Sequence, residues 1–144
     1  MNIKHIIAFA LTAMSLNTYA KITVTEPWVR ATVTGQTMGG AFMTLHNDSA
    51  QEARVIAVST NAAQEAQLHT MIEKNGMMQM SATTAVTIPA AGSFTFKPGS
   101  THIMLMGLQH SLQAGDRIPL VLTVVQHGHT KKIQVTAEVR PLGQ

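Results

Sequence analysis

Gln67–Gln109 reads QLHTMIEKNGMMQMSATTAVTIPAAGSFTFKPGSTHIMLMGLQ, and the fold turns on how its first half is read. Asn75-Gly76 lies between two alternating runs. A two-residue type I′ turn needs positive φ at both central positions, which Asn and Gly tolerate best, so the dipeptide predicts a β-hairpin. A loop of that length fixes the register: Lys74 faces Met77, Glu73 faces Met78 and Met71 faces Met80. Side chains alternate along a strand, so His69, Met71, Met80 and Met78 share one face, and Thr70, Ile72 and Gln79 the other. A second run, His102-Ile103-Met104-Leu105-Met106, alternates in the same way and places His102, Met104 and Met106 together.

Outward from this stretch the chain continues as short β-rich runs between turn signals. Ile22–Thr25 and Trp28–Val33 are two strands with a bend at Glu26-Pro27, where proline suits a strand start or edge. Trp28, the one tryptophan, reads as a core anchor. Met38 falls in a turn-rich loop with no partner. Ala41–His46 alternates and stops at an Asn47-Asp48-Ser49 turn. Ala53–Ser59 is a strand, and the Ala-rich Asn61–Gln67 reads as one helical turn. Thr83–Ile88 and Ser93–Phe96 are short strands, and Lys97-Pro98-Gly99-Ser100 turns the chain into His102. Ile118–Gln126 and Lys132–Val139 are the longest β-rich runs, joined through His127-Gly128-His129-Thr130. Eight or nine strands without helical periodicity predict an all-β sandwich or barrel, in a single domain.

Two strands that each present imidazole and thioether on one side form, when packed together, a soft and uncharged donor set. Thioether sulfur selects Cu(I), and imidazole also suits copper. Zinc sites draw on thiolate, imidazole and carboxylate, and calcium and magnesium take oxygen ligands. Met43 reads as core filler. His46, at a strand end, reads as a polar edge residue, and His127 and His129 as surface residues.

The spacing between these donors is more specific than any single H-x-M. Ten residues separate His69 from Met80, twenty-one separate Met80 from His102, and Met104 follows two positions later. This resembles the periplasmic copper chaperone family known as PCuAC, whose motif is H(M)X10MX21HXM. EPWVRAT (residues 26–32), GGAFMTLHN (39–47), NGMMQM, FKPG and HIMLMGL are similar to that family as well. The resemblance covers nearly all of the chain after its first twenty residues. It implies a cupredoxin-like β-sandwich that holds Cu(I) through His69, Met80, His102 and Met104, with Met71 as a further or alternative sulfur ligand. It also implies delivery of copper towards the CuA site of cytochrome oxidase, alongside Sco-type proteins. A periplasmic copper buffer without a dedicated acceptor, and an exported β-sandwich whose methionines are only core, are the rival expectations.

Composition narrows the field. The chain has 144 residues and no cysteine, which excludes a disulfide scaffold, a thiolate metal site, a Cys nucleophile and a blue-copper centre. Residues 1–20 read as an export signal: Lys4, an apolar run from Ile6 to Leu16, and Thr18-Tyr19-Ala20 as the cleavage site. Its apolar run is short for a membrane span. The remaining residues, 21–144, are the expected copper-binding domain, placed in the periplasm with no membrane span. Ten basic against seven acidic residues give +3, and loss of Lys4 leaves +2. That is too small and too scattered for nucleic acid. No nucleophile motif, paired carboxylates or phosphate-cradling glycine loop points to an enzyme.

Overall fold

Strands form where the sequence alternates or is rich in β-branched residues, and the computed structural model describes them over residues 21–143. They are β1 (Ile22–Arg30), β2 (Met38–Asn47), β3 (Ala53–Thr60), β4 (Ala63–Lys74), β5 (Met77–Thr83), β6 (Val86–Ile88), β7 (Ser93–Phe96), β8 (His102–Leu108), β9 (Arg117–Gln126) and β10 (His129–Arg140). The expected export signal, residues 1–20, lies outside the described residues.

The strands form one sheet in the order β5-β4-β8-β2-β1-β10-β9-β3-β6. β7 lies beside β2, on the edge that β8 occupies further along. All pairs are antiparallel except β1 with β10. The path curls until β3 packs against β4, and the inner faces enclose one core. Val29, Met43, Leu45, Phe96, Ile103, Leu105, Leu120 and Leu122 are fully buried there. The all-β expectation holds, and so does Met43 as a core residue.

One irregularity decides what lies outside. Thr25 pairs with Thr44 and Trp28 with Phe42, so β1 carries one residue more than β2 between these points. The bulge falls at Glu26-Pro27, and Glu26 takes φ 50° to make it. A one-residue insertion flips the side-chain parity. Ile22 and Val24 face inward before the bulge, and Val29 faces inward after it. Trp28 and Arg30 therefore face outward. Trp28 is half-buried and stacks on Phe42, with ring centroids 4.4 Å apart, so it is not the core anchor that its chemistry suggests.

Three local expectations need correction. Asn61–Gln67 holds no helical turn. Its Ala63 to Gln67 are the first residues of β4, because they pair with Leu108 to Met104 of β8. Thr83 belongs to β5, and the following strand shrinks to Val86–Ile88. The loop at residues 127–130 is only His127-Gly128, both at positive φ, and His129 and Thr130 already pair with β9.

Candidate metal centre

Asn75 and Gly76 adopt φ 53° and 76°, so the hairpin closes with a two-residue turn. Met71 then pairs with Met80, Glu73 with Met78 and Lys74 with Met77. The other side of β4 supplies what local sequence does not show. β4 pairs with β8 so that His69 stands directly opposite His102, and Gln67 opposite Met104. β8 in turn pairs with β2, setting Met104 opposite Gly40 and Met106 opposite Met38. One outward face thus carries Met71 and Met80, then His69 and His102, then Met104.

The ring centroids of His69 and His102 lie 6.1 Å apart. His102 is 7% exposed, and its Nδ1–H donates to the Ser100 carbonyl at 2.8 Å. A carbonyl only accepts, so the proton is on Nδ1 and the Nε2 lone pair is left for a ligand. Ser100 sits in the Lys97–Thr101 turn, where Gly99 takes φ 76° and the Ser100 N–H donates to the Lys97 carbonyl.

His69 is arranged in the opposite sense. Glu65 accepts from the Gln67 amide nitrogen at 2.7 Å, which orients the Gln67 amide oxygen to accept from His69 Nε2–H at 2.9 Å. His69 Nδ1 is left without a proton and without a partner, although it is buried. Buried polar atoms are nearly always paired, so such an orphan marks a place for a ligand. Burial, and after it the neighbouring His102, hold the His69 pKa below the ordinary 6.5. Between that lowered value and 6.5 the unfolded chain binds the proton and the folded chain does not. His69 therefore costs stability as pH falls through this window, and it stays in the neutral, ligating form at mildly acid pH. NMR titration of the metal-free protein should give a His69 midpoint below 6.5; a midpoint at or above 6.5 contradicts the burial argument.

Met80, Met104 and His102 line one open cleft of about 320 Å³, together with Met38, Phe42 and Arg30. Pro98 and Gly99 of the turn before β8 form part of its wall. His69 and Met71 do not line it; they adjoin it through their pairing with His102 and Met80. Met80 is 50% exposed, so the thioether is reachable from solvent. At Gly40 an added Cβ would lie 2.9 Å from the Phe42 ring, and its absence lets that ring pack beside His102 at 6.2 Å. Among the described residues, no three His, Cys, Asp or Glu side chains converge as a metal site. The donors brought together are two neutral imidazoles and thioethers, a set that suits a soft monovalent ion.

The histidine on β2 plays no such part. His46 Nε2 bonds to Thr25 Oγ1 at 3.0 Å and Nδ1 to Ser93 Oγ at 2.7 Å, so both ring nitrogens are engaged.

The family model described as "Putative lipoprotein LpqE-like" matches residues 22–139. The chain belongs to this LpqE-like family. A relative from Leifsonia xyli, "Putative lipoprotein Lxx21020", is 37% identical over 102 residues, 70% of this chain and 60% of the relative. The chain thus spans 60% of that relative's length. Among solved structures, the copper-bound PCuAC domain from PmoF2 superposes with a TM-score of 0.70 at 21% identity, covering 84% of this chain and 93% of that one. The Cu(I) form of DR1885 from Deinococcus radiodurans matches with a TM-score of 0.67 at 26% identity, over 92% of this chain and 87% of that one. The β-sandwich of this LpqE-like chain is the PCuAC fold, as the motif resemblance implied.

Several residues around the site of this LpqE-like chain escape a reading of the sequence alone. Met38 begins β2 and reaches the cleft only because β2 pairs with β8. Gln67 and Glu65 orient His69 from its own strand, two and four positions earlier, where period-two alternation puts them on its face. That signal was present in the sequence and becomes meaningful once this segment is a strand.

Proposed function

We propose that this protein is a metallochaperone that carries Cu(I) outside the cytoplasm, in the periplasm. His69 Nδ1 and His102 Nε2 supply the nitrogen donors, Met80 and Met104 the sulfur donors, and Met71 beside Met80 a further thioether. The observation that carries the reading is the buried, partnerless Nδ1 of His69 directly across from His102. The copper-bound PmoF2 domain and the Cu(I) form of DR1885 support copper as the cargo.

The chemistry follows from the donors. All are neutral, so they add no charge to a bound ion, and only the imidazoles compete with protons. The hydrogen bonds that the imidazoles donate to the Ser100 carbonyl and the Gln67 amide oxygen fix both tautomers in advance, so the imidazoles need little reorganisation to ligate. The cleft is open, and a docked protein offering thiolates, a softer and tighter set, draws the ion out. The acceptor in this proposal is the CuA site of cytochrome oxidase, reached directly or through a Sco-type protein, and the protein itself catalyses no reaction. The lipoprotein names of the family and of the Leifsonia relative support export. No helix among the described residues is long and apolar enough to cross a membrane.

Titration of the metal-free protein with Cu(I) under reducing conditions tests the reading. The expected result is one ion per chain, with sulfur scatterers in the X-ray absorption spectrum. Replacing His69 and Met104 together by alanine should abolish stoichiometric binding. Unchanged affinity in that variant would overturn the assignment.

A further inference from the structure

We propose that Arg30 is a specificity-determining residue, making the cleft favour a monovalent over a divalent ion. The inference rests on the copper reading above. Arg30 lines the same cleft as His102, Met104 and Met80, and no carboxylate is among the lining residues. Its guanidinium is held 5.5 Å from the Phe42 ring centroid and 5.9 Å from that of Trp28. Stacking on two rings keeps the charge beside the site instead of trailing into solvent. The Glu26-Pro27 bulge is what turns Arg30 to this face. Glu65 shares the face but lies on β4, with β8 and β2 between it and β1. Glu138 pairs with Trp28 on the far side of β1, where Arg140 pairs with Arg30 and approaches the Trp28 ring at 5.1 Å.

The consequence is electrostatic. The expected ligands carry no charge, so Arg30 supplies the one fixed formal charge of the cleft lining. Going from a singly to a doubly charged ion adds one further unit of repulsion against it. At the effective dielectric of a protein surface, one unit of charge about 12 Å away is worth about a tenfold change in an equilibrium constant, and a nearer one more. Thioether donors favour Cu(I) by softness, and Arg30 adds a bias by charge.

The test compares wild type, Arg30→Gln and Arg30→Lys. Ag(I) serves as a redox-inert monovalent probe, alongside Cu(I) under reducing conditions and Cu(II) in air. In Arg30→Gln the ratio of monovalent to Cu(II) affinity should fall about tenfold, mainly through tighter Cu(II) binding. For a one-electron couple, that is a fall of about 59 mV in the potential of bound copper. Arg30→Lys, which keeps the charge without the planar stack, should retain most of the ratio. Arg140→Gln, outside the cleft lining, should change it less. Raising the salt concentration should shrink the difference between wild type and Arg30→Gln. An unchanged ratio in Arg30→Gln, or an equal loss of both affinities that Lys does not rescue, overturns the inference while leaving the copper reading intact. Failure of the wild type to bind either Ag(I) or Cu(I) overturns both.

Discussion

Replacing His102 with alanine should lower Cu(I) affinity by at least about a hundredfold, the largest effect expected of any single substitution at the site. Removing a group that merely orients a metal ligand costs roughly 10–100-fold, so losing the ligand itself costs at least the upper end of that range. His102 is the better prepared of the two imidazoles. Its Nδ1–H is committed to the Ser100 carbonyl, its ring lies between those of Phe42 and His69, and it lines the cleft with Met80 and Met104. Nothing else on β8 offers nitrogen at that position. The fold should survive, because Ile103 and Leu105, which face the core from the same strand, are untouched. Truncating one buried ring should move the melting temperature by only a few degrees, about what 1 kcal/mol gives in a domain of this size. The substitution also removes the second of the two causes that lower the His69 pKa, so the His69 midpoint should climb towards 6.5 while burial still holds it below. Competition titration with a Cu(I) chelator and an NMR pH titration read the two effects separately. Wild-type affinity in the variant would remove His102 from the site.

What could be read from the sequence divides along physical lines. The hairpin was legible because its register depends on two adjacent residues, Asn75 and Gly76, whose backbone preferences are local. The sharing of a face by His102 and Met104 was legible for the same reason: period-two alternation needs no knowledge of neighbours. The opposition of His69 to His102 was not, since it depends on β4 pairing with β8 across some thirty residues of intervening chain. Spacing resemblance stood in for that pairing, but it did not supply the register. The orientation of Trp28 and Arg30 failed to emerge because a single bulge residue, Glu26, reverses parity after Pro27, and nothing in EPWVRAT distinguishes a bend from a bulge. Asn61–Gln67 misled through composition. Alanine favours helix locally, yet the backbone of Ala63 to Gln67 is taken up by β8, and tertiary pairing overrides propensity. Met38 had no visible role because its partner, Met106, lies on a strand far along the chain.

The second large effect concerns the hairpin turn. Changing Gly76 to valine should weaken Cu(I) binding about tenfold and leave the core standing. Gly76 takes φ 76°, and an added Cβ would meet nothing within 4 Å, so the penalty is backbone strain and not a clash. The left-handed conformation costs roughly 1–2 kcal/mol for an ordinary L-residue, and β-branching adds to it. That strain falls on a weak element. Pairing of β4 with β8 ends at His69, and beyond the Thr70–Thr101 hydroxyl bond the strand from Met71 to Lys74 pairs with β5 alone. A two-stranded ribbon is marginal by itself. β5 places no side chain in the core, and Met77, Met78 and Met80 are all exposed. Fraying it therefore leaves the melting transition close to that of wild type. The site is more sensitive, because β5 alone brings Met80 to the cleft. About 1.4 kcal/mol against a ribbon that is marginal to begin with cuts its pairing equilibrium, and with it access to the proposed fourth donor, about tenfold. A slip of one residue would turn Met80 to the opposite face with the same result. Hydrogen exchange should show protection lost across β5 and retained in β8 and β9, while Cu(I) titration shows the weaker site. If the variant frays in this way yet binds Cu(I) as tightly as wild type, Met80 is not a ligand, and the sulfur must come from Met104 and its neighbours on β8 and β2.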